Sequence, residues 1–419
     1  MSLRTPQSCR NDFPSLSRTH QGRPLVYLDG PGGSQVPEMV IEAIAYYYRN
    51  CNSNTHGSFI TAGETDRVIL SAREAMASFL GAVAPETISF GQNMTSLNFS
   101  LSKALSRYLP KGSEILITQL DHEANRGPWL SMEENGFKVR EVKMLADGTL
   151  DYQDFRAKLS SQTSLVAVGF ASNALGTVND LETIRSATKD TGTLMLVDAV
   201  HYAPHFSIDV VSLDCDMLLC SAYKFYGPHV GVLYCRPGLL DQLPTDRLVT
   251  QEPEAPYRIE TGTLNHAALA GVTAAINYLE SFGEASDRRS RLRNAMQSIS
   301  NHEYQMYQRM HQGLSLLPGI TIIGTSPDPV WHTPTLAFTL QGSTPVEVCD
   351  FLANKGICAW DGHFYAKRAI EVLGLSELGG VTRLGISMYT STEEVDYTIQ
   401  CLKELVHAET TVTGNPDSQ

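Results

Sequence analysis

The sequence predicts an α/β protein with a largely parallel sheet, followed by a smaller α+β region. Two features of the pattern carry this. Short apolar runs alternate with helical patterns from about residue 65 onward, and after about residue 275 the texture changes to a long polar helical stretch. The composition of the 419 residues, 42% apolar and 18% charged, is that of a chain that folds around a core. The length leaves room for a large domain with a smaller one attached.

The elements run in order along the chain. In ETDRVILSAREAMASFLG (64–81), Val68, Ala72, Ala75, Met76 and Phe79 recur at helical spacing. TISF (87–90) reads as a strand. LNFSLSKALSRYL (97–109) is a helix with Leu97, Leu101, Ala104, Leu105 and Tyr108 on one face. EILITQ (114–119), SLVAVGF (164–170), TLMLVDA (193–199), MLLCSA (217–222) and GVLYC (231–235) are apolar enough for buried strands, and DLETIRSATKDTG (180–192) is a helix between two of them. A polar helix covers 286–317. Strands are expected at ITIIG (320–324) and TLAFTL (335–340), and helices near VEVCDFLANKG (346–356) and EEVDYTIQCLKELV (393–406). The domains expected are an N-terminal segment over 1–24 packing on the smaller domain, a large domain over 25–275, a small C-terminal domain over 276–410, and a frayed tail over 411–419.

Bulk properties narrow the function. The net charge of −13, without any long Lys/Arg run, argues against nucleic acid as a partner. No stretch approaches 18 uninterrupted apolar residues, and MSLRTPQSCRNDFPSL lacks the apolar centre of a secretory signal. None of the eight cysteines forms a C-x-x-C pair, so they read as reduced, mostly buried thiols of a cytoplasmic protein.

In open α/β sheets ligands sit beyond the carboxyl ends of the strands, so the residues just past each strand matter most. After TISF comes GQNMTS, with Met94 and Thr95 opening a helix: either a plain N-cap or an anion site suited to phosphate. After the next four strands come Asp121-His122, Ser172-Asn173, Asp198 with His201, and Ser221-Ala222-Tyr223-Lys224. Each alone is an ordinary turn former or surface residue. Together they supply the groups that pyridoxal 5'-phosphate (PLP) requires: a lysine amine for a Schiff base and a carboxylate beside the pyridine nitrogen, here Lys224 and Asp198. His122 is placed to stack on the ring, His201 to donate to its phenolate oxygen, and Thr95, Ser221 and Tyr223 to hold the phosphate.

The string SAYKFYGPHVGVLY (221–234) resembles the lysine motif of class V aminotransferase-like PLP enzymes, in the cysteine desulfurase branch. LDGPGG (28–33), NTHG (54–57), LDHEAN (120–125), SNALGT (172–177), VDAVHYAPH (197–205) and GTLNH (262–266) match in the same order. The resemblance spans about residues 13–406. It implies PLP fold type I, with a three-layer large domain and a small α+β C-terminal domain. It also implies a homodimer with shared active sites, in which Thr263 reaches the phosphate of the other subunit and Arg383, in TRLGISMY, binds the substrate carboxylate. A planar Arg fork suits a carboxylate on independent grounds.

The chain departs from that branch in places. Tyr365 stands where the resemblance puts a persulfide-forming loop cysteine, Trp360 replaces a loop arginine, Tyr223 replaces a histidine before the lysine, and His201 replaces a glutamine. Cys358 is expected on the preceding strand. Tyrosine cannot carry a persulfide, so the expected chemistry is cleavage of a Cβ substituent of an amino acid without a protein thiol. That means β-decarboxylation with possible aldol trapping by an aldehyde or keto co-substrate, as in the fungal decarboxylative aldolases that part of this branch resembles, or C–S lysis. Asn173, His56, Trp360, His363, Tyr365 and Arg383 are the substrate-side candidates. The alternatives are a cysteine desulfurase or selenocysteine lyase-type activity, an aminotransferase or epimerase, and a silent PLP-fold binding protein. A zinc hydrolase built on His201 and His205 is disfavoured by Pro204 between them and by the lack of a third ligand, so no metal is expected.

Overall fold

The computed structural model describes residues 4–413. Its centre is a seven-stranded sheet: β1 (Ile88–Gly91), β2 (Glu114–Thr118), β3 (Lys138–Val142), β4 (Thr163–Gly169), β5 (Leu194–Asp198), β6 (Met217–Ser221) and β7 (Gly231–Cys235), in the spatial order β1-β7-β6-β5-β4-β2-β3. Only β7 runs against its neighbours; it pairs antiparallel with both β1 and β6. The sheet is therefore largely parallel, as the strand–helix alternation predicts.

Both faces are covered, which is why these strands read as unbroken apolar runs. Alternate side chains go to different cores. Leu165, Ala167, Leu194 and Leu196 enter one, with Leu101 and Leu105 of the helix Met94–Tyr108. Val166, Val168, Met195 and Val197 enter the other, with Ala72, Met76 and Phe79 of the helix Ile60–Leu80. Two cores around one sheet make the three layers. The first of those helices begins three residues earlier than the apolar spacing suggests, because Asn93 caps it: Oδ1 accepts from Ser96 N at 2.9 Å. The second begins at Ile60 and runs through Gly63. The helices Glu38–Tyr46 and His266–Glu280 and strand β3 had no clear signal; the Ala-rich helix His266–Glu280 is buried nearly all round, which erases its period.

The hairpin from β6 to β7 carries Lys224 at its turn. It brings β7 hard against the start of the capped helix: a Cβ on Gly231 would lie 2.3 Å from the Asn93 carbonyl carbon. Glycine is required there by close approach of two backbones. A buried bidentate pair joins the helix Ile60–Leu80 to the segment leading to Thr263. Arg73 Nη1 and Nη2 meet Glu260 Oε1 and Oε2 at 2.7 and 2.6 Å, and Oε1 also accepts from Phe90 N of β1 at 2.6 Å.

A second sheet comes next: β8 (Ile320–Ile323), β9 (Thr335–Leu340), β10 (Trp360–Gly362) and β11 (Val381–Gly385), in the order β8-β9-β11-β10, all antiparallel. Leu336, Phe338 and Leu384 pack against Met306, Tyr307, Met310 and Leu314 of the long helix Arg288–Ser315. Ala337 and Val381, on the other face, pack against Leu120, Ala174 and Leu175 from the strand ends of the large sheet. That contact closes a cleft between the two sheets. The N-terminal segment packs across both regions: Phe13 meets Tyr226, Tyr278 and Tyr389, and Arg10 binds Glu394. The tail expected over 411–419 differs at its start, since the last helix, Thr392–Thr413, continues into it; 414–419 lie outside the described residues. No helix among the described residues is long and apolar enough to cross a membrane.

Candidate active site

The cleft has a volume of about 930 Å³. It opens at the carboxyl ends of the parallel strands and is roofed by the second sheet and the segment after β10. Of the sequence-predicted residues, Met94, Thr95, His122, Asn173, Asp198, His201, Ser221, Tyr223, Lys224, Trp360, His363, Tyr365 and Arg383 all line it. Two do not. His56 sits in an exposed turn against Asp66. Thr263 lies in a separate depression with Gln92, Ser96 and His229. Within a single chain neither reaches the cleft.

Lys224 is the centre of the floor. Its Nζ donates to Pro31 O and lies 4.9 Å from the centroid of the Tyr223 ring. Burial pushes its pKa down to about 7 and the Arg383 charge adds to that, while Asp198 and Asp29 pull it back up. An amine shifted down in this way gives up its proton more readily, which a nucleophilic lysine needs. Asp198 ends β5. Its Oδ1 accepts from Val200 N at 3.0 Å, and burial raises its pKa to about 6. A buried carboxylate with one backbone donor is poised to gain a cationic partner.

Asp121, present in LDHEAN but given no role by the sequence, ties two strand ends together. Its Oδ1 accepts from Gly169 N at 2.6 Å and its Oδ2 from Thr118 N at 3.2 Å. Burial, with the charge of Asp198 adding, raises its pKa to about 7. His122 Nδ1 accepts from Ala124 N at 2.9 Å, so the neutral ring carries its proton on Nε2. Burial, then Lys224 and Arg383, lower its pKa to about 4. At neutral pH it is an uncharged flat ring.

At the anion-receptive end, Met94 N donates to Ser221 Oγ at 3.1 Å, and Thr95 is next on the first turn of a fifteen-residue helix. The Tyr223 ring stacks on His229 with centroids 4.6 Å apart and planes 7° apart. His201 meets Thr333 and Thr335 hydroxyls through Nε2 at 3.0 and 2.9 Å. Nε2 is thus already engaged by two threonine hydroxyls, so the donation expected of His201 would compete with them or fall to Nδ1. His205 turns to Glu303 at 2.8 Å instead of pairing with His201 around an ion. Among the described residues no cluster of three or more metal-ligating side chains occurs.

The roof departs from expectation. Trp360, expected on a loop, is the first residue of β10 and pairs with Arg383 of β11. A Cβ on Gly32 would lie 2.8 Å from its Nε1, so the LDGPGG glycine makes room for the indole. After β10, Phe364 and Tyr365 both adopt the left-handed region, with φ of 51° and 59°. Two hydrogen bonds from the floor hold them there, Asn173 Nδ2 to Phe364 O at 2.8 Å and Glu123 N to Tyr365 O at 2.7 Å, and Tyr365 N also donates to His363 Nδ1 at 3.1 Å. Cys358, in the two-residue strand Ile357–Cys358 beside Val26–Tyr27, is not part of the cleft lining. Burial, with Asp29 adding, raises its thiol pKa to about 11.

The residues present fit PLP. An activated amine, a buried carboxylate, an anion-receptive helix start and a neutral flat ring converge on one cleft, and the buried Asn173 Oδ1 has no hydrogen-bond partner. Comparison with known proteins agrees. Residues 26–398 match the family described as aminotransferase class-V. The chain is 31% identical over 417 residues to a protein named cysteine desulfurase from Enterobacter sp. (strain 638), covering 96% of this chain and 98% of that one. Among solved structures it is similar to the apo structure of a cysteine desulfurase from Thermococcus onnurineus NA1, with a TM-score of 0.87 at 27% identity over 97% of this chain and 99% of that one. A cysteine desulfurase from Escherichia coli shares the fold with a TM-score of 0.84 at 24% identity, over 97% of this chain and 100% of that one.

Proposed function

From the premise that this chain belongs to the aminotransferase class-V family and is a PLP-dependent enzyme of fold type I, we propose that it cleaves a substituent from Cβ of a free amino acid without lodging that group on one of its own thiols. The observation that carries the reading is the roof of the cleft. Tyr365 stands in the segment facing the site, and none of the eight cysteines lines the cleft. The single cysteine that is not buried, Cys358, sits outside it with its pKa raised. When bound, PLP supplies an electron sink for charge developing on the substrate carbons. The protein's residues do the rest. Lys224 holds the cofactor and moves the proton at Cα. Asp198 keeps a positive charge on the pyridine nitrogen. His122 covers one ring face, Thr95 and Ser221 take the phosphate, and Arg383 takes the substrate carboxylate. The working unit in this reading is a cytoplasmic homodimer in which Thr263 serves the partner's phosphate end.

Two leaving groups are in play. The names of the relatives favour sulfur from cysteine, the desulfurase or selenocysteine lyase type of reaction. Without a protein thiol, cysteine and water would yield pyruvate, ammonia and sulfide, or cysteine would yield alanine with its sulfur passed to a small thiol. The aromatic side chains of Trp360, Phe364 and Tyr365 along the cleft, with no thiol among them, favour the other, in which aspartate would yield alanine and carbon dioxide. The test is incubation of the PLP-loaded protein with single amino acids in deuterated buffer, following alanine, pyruvate, sulfide and carbon dioxide. Alanine deuterated at Cβ from aspartate assigns β-decarboxylation; sulfide from cysteine with aspartate inert assigns C–S cleavage. Turnover of neither, with amino-group exchange to a keto acid, would overturn the proposal in favour of transamination.

A further inference from the structure

Arg383 is buried, yet it makes no direct ion pair, although the charge of Asp29 acts on it, and it lacks a full set of acceptors. Its Nη1 donates to Asn173 O at 2.9 Å, and its Nε is buried with no hydrogen-bond partner. The ring of Phe364 lies against the guanidinium. The Arg383 Cζ lies 3.9 Å from the centroid of that ring, within direct stacking distance. Phe364 is itself held in a backbone conformation that a bulky residue seldom adopts, with φ of 51°. The hydrogen bond that secures it comes from Asn173, whose Nδ2 donates to Phe364 O at 2.8 Å. One residue thus grips both partners: the Asn173 backbone carbonyl takes Arg383 and its side-chain amide takes Phe364. No pattern in the sequence singles out Phe364, which sits unremarked in the run His363-Phe364-Tyr365.

We propose that Phe364 is a positioning residue for substrate recognition: its ring, locked by Asn173, fixes the plane of Arg383 so that Nη2, the nitrogen not taken by Asn173 and not sealed in the protein, is presented to the α-carboxylate of the amino acid. The inference rests on the reading of Arg383 as the carboxylate site. An Arg side chain otherwise loses rotamer freedom when it binds, and stacking removes that cost beforehand. The strained backbone at Phe364 is then the means by which an aromatic ring from the roof reaches a cation on β11.

The test uses the PLP-loaded protein and two probes, L-alanine and ethylamine, which differ by the carboxylate. Binding is read as the change in the cofactor's absorption band, so no turnover is required. Phe364→Leu is expected to weaken L-alanine about tenfold, the size of a desolvated cation–π contact, while leaving ethylamine within about twofold. Phe364→Tyr, which keeps the ring, is expected to bind both as the unmodified protein does, and Phe364→Met serves if the leucine variant folds poorly. Equal weakening of both probes, or no weakening of either, would overturn the proposal. Arg383→Gln separates this claim from its premise. If Arg383→Gln keeps its preference for L-alanine, the carboxylate-site reading fails and this inference with it. If Arg383→Gln loses that preference and Phe364→Leu does not, only the role of Phe364 fails.

Discussion

The floor and the roof of the cleft are built by opposite means. The floor hangs from the ends of parallel strands whose backbone groups are paired and whose side chains are buried; Asp121, Asp198 and Lys224 all stand there with pKa values displaced by burial. The roof is β10 with the short stretch after it, in which Trp360 is 51% exposed and Tyr365 68% exposed, with two successive residues at positive φ. Rigid, desolvated groups suit chemistry that must be repeated with the same geometry. An exposed segment pinned by two hydrogen bonds suits the part of a site that sets which substrate is accepted. In the proposed reading the cofactor belongs to the floor and substrate choice to the roof.

That division can be broken by mutation, and the largest effect belongs to the floor. Lys224→Ala should abolish covalent attachment of the cofactor, seen as loss of its Lys-bound absorption band, and reduce kcat/KM by about 10²–10⁴-fold, the range for removing a proton-transfer group. Asp198→Asn should keep the fold and still bind PLP but lower kcat by about 10²–10³-fold, as when one charge-stabilising group is lost from a dry site. If either retains half its activity, the floor does not hold the chemistry.

On the roof the expected effect is smaller and different in kind. Tyr365→Phe and Trp360→Phe should leave Tm within a degree or two, since both side chains are largely exposed and substitutions there shift stability by about 0.5 kcal/mol or less. They should change the ratio of kcat/KM between two amino acids by about tenfold. Equal losses for every amino acid would move these residues from substrate choice to general support.

The smallest effect sharpens the floor electrostatically. The Lys224 pKa in the cofactor-free fold is about 7, below its ordinary 10.5. The unfolded chain therefore binds more protons than the folded one between those values, and the Lys224 contribution to stability improves as pH rises through that window. Cofactor-free Lys224→Met should melt above the unmodified cofactor-free protein at pH 7, with the gap closing toward pH 10. A gap that widens with pH would mean that Lys224 is not the buried amine the floor requires.

Much of this was legible in the sequence because parallel strands announce themselves. Their apolar runs are buried on both faces, and the residue after each run falls at the site by topology. That is how Lys224, Asp198, His122 and Asn173 could be gathered without coordinates. Asp121 had a clear place in that pattern, but its task, tying Gly169 to Thr118, depends on which strands are neighbours. The roof was legible in composition and not in geometry: a strand of three residues at Trp360 is too short to show a period. Phe364 acquires its role only through the crossing of β11. His56 and Thr263 were drawn from the family resemblance, and a single chain places them away from the cleft.

Cleavage at Cβ with no sulfur held on the protein is the central claim. Its most direct test is the intact mass of the PLP-loaded enzyme, measured without reductant after turnover of cysteine and, separately, of aspartate. We predict product from at least one of the two, with the protein mass unchanged. A gain of one sulfur atom that reductant removes and that Cys358→Ser abolishes would contradict the claim and return the chain to thiol-borne desulfuration.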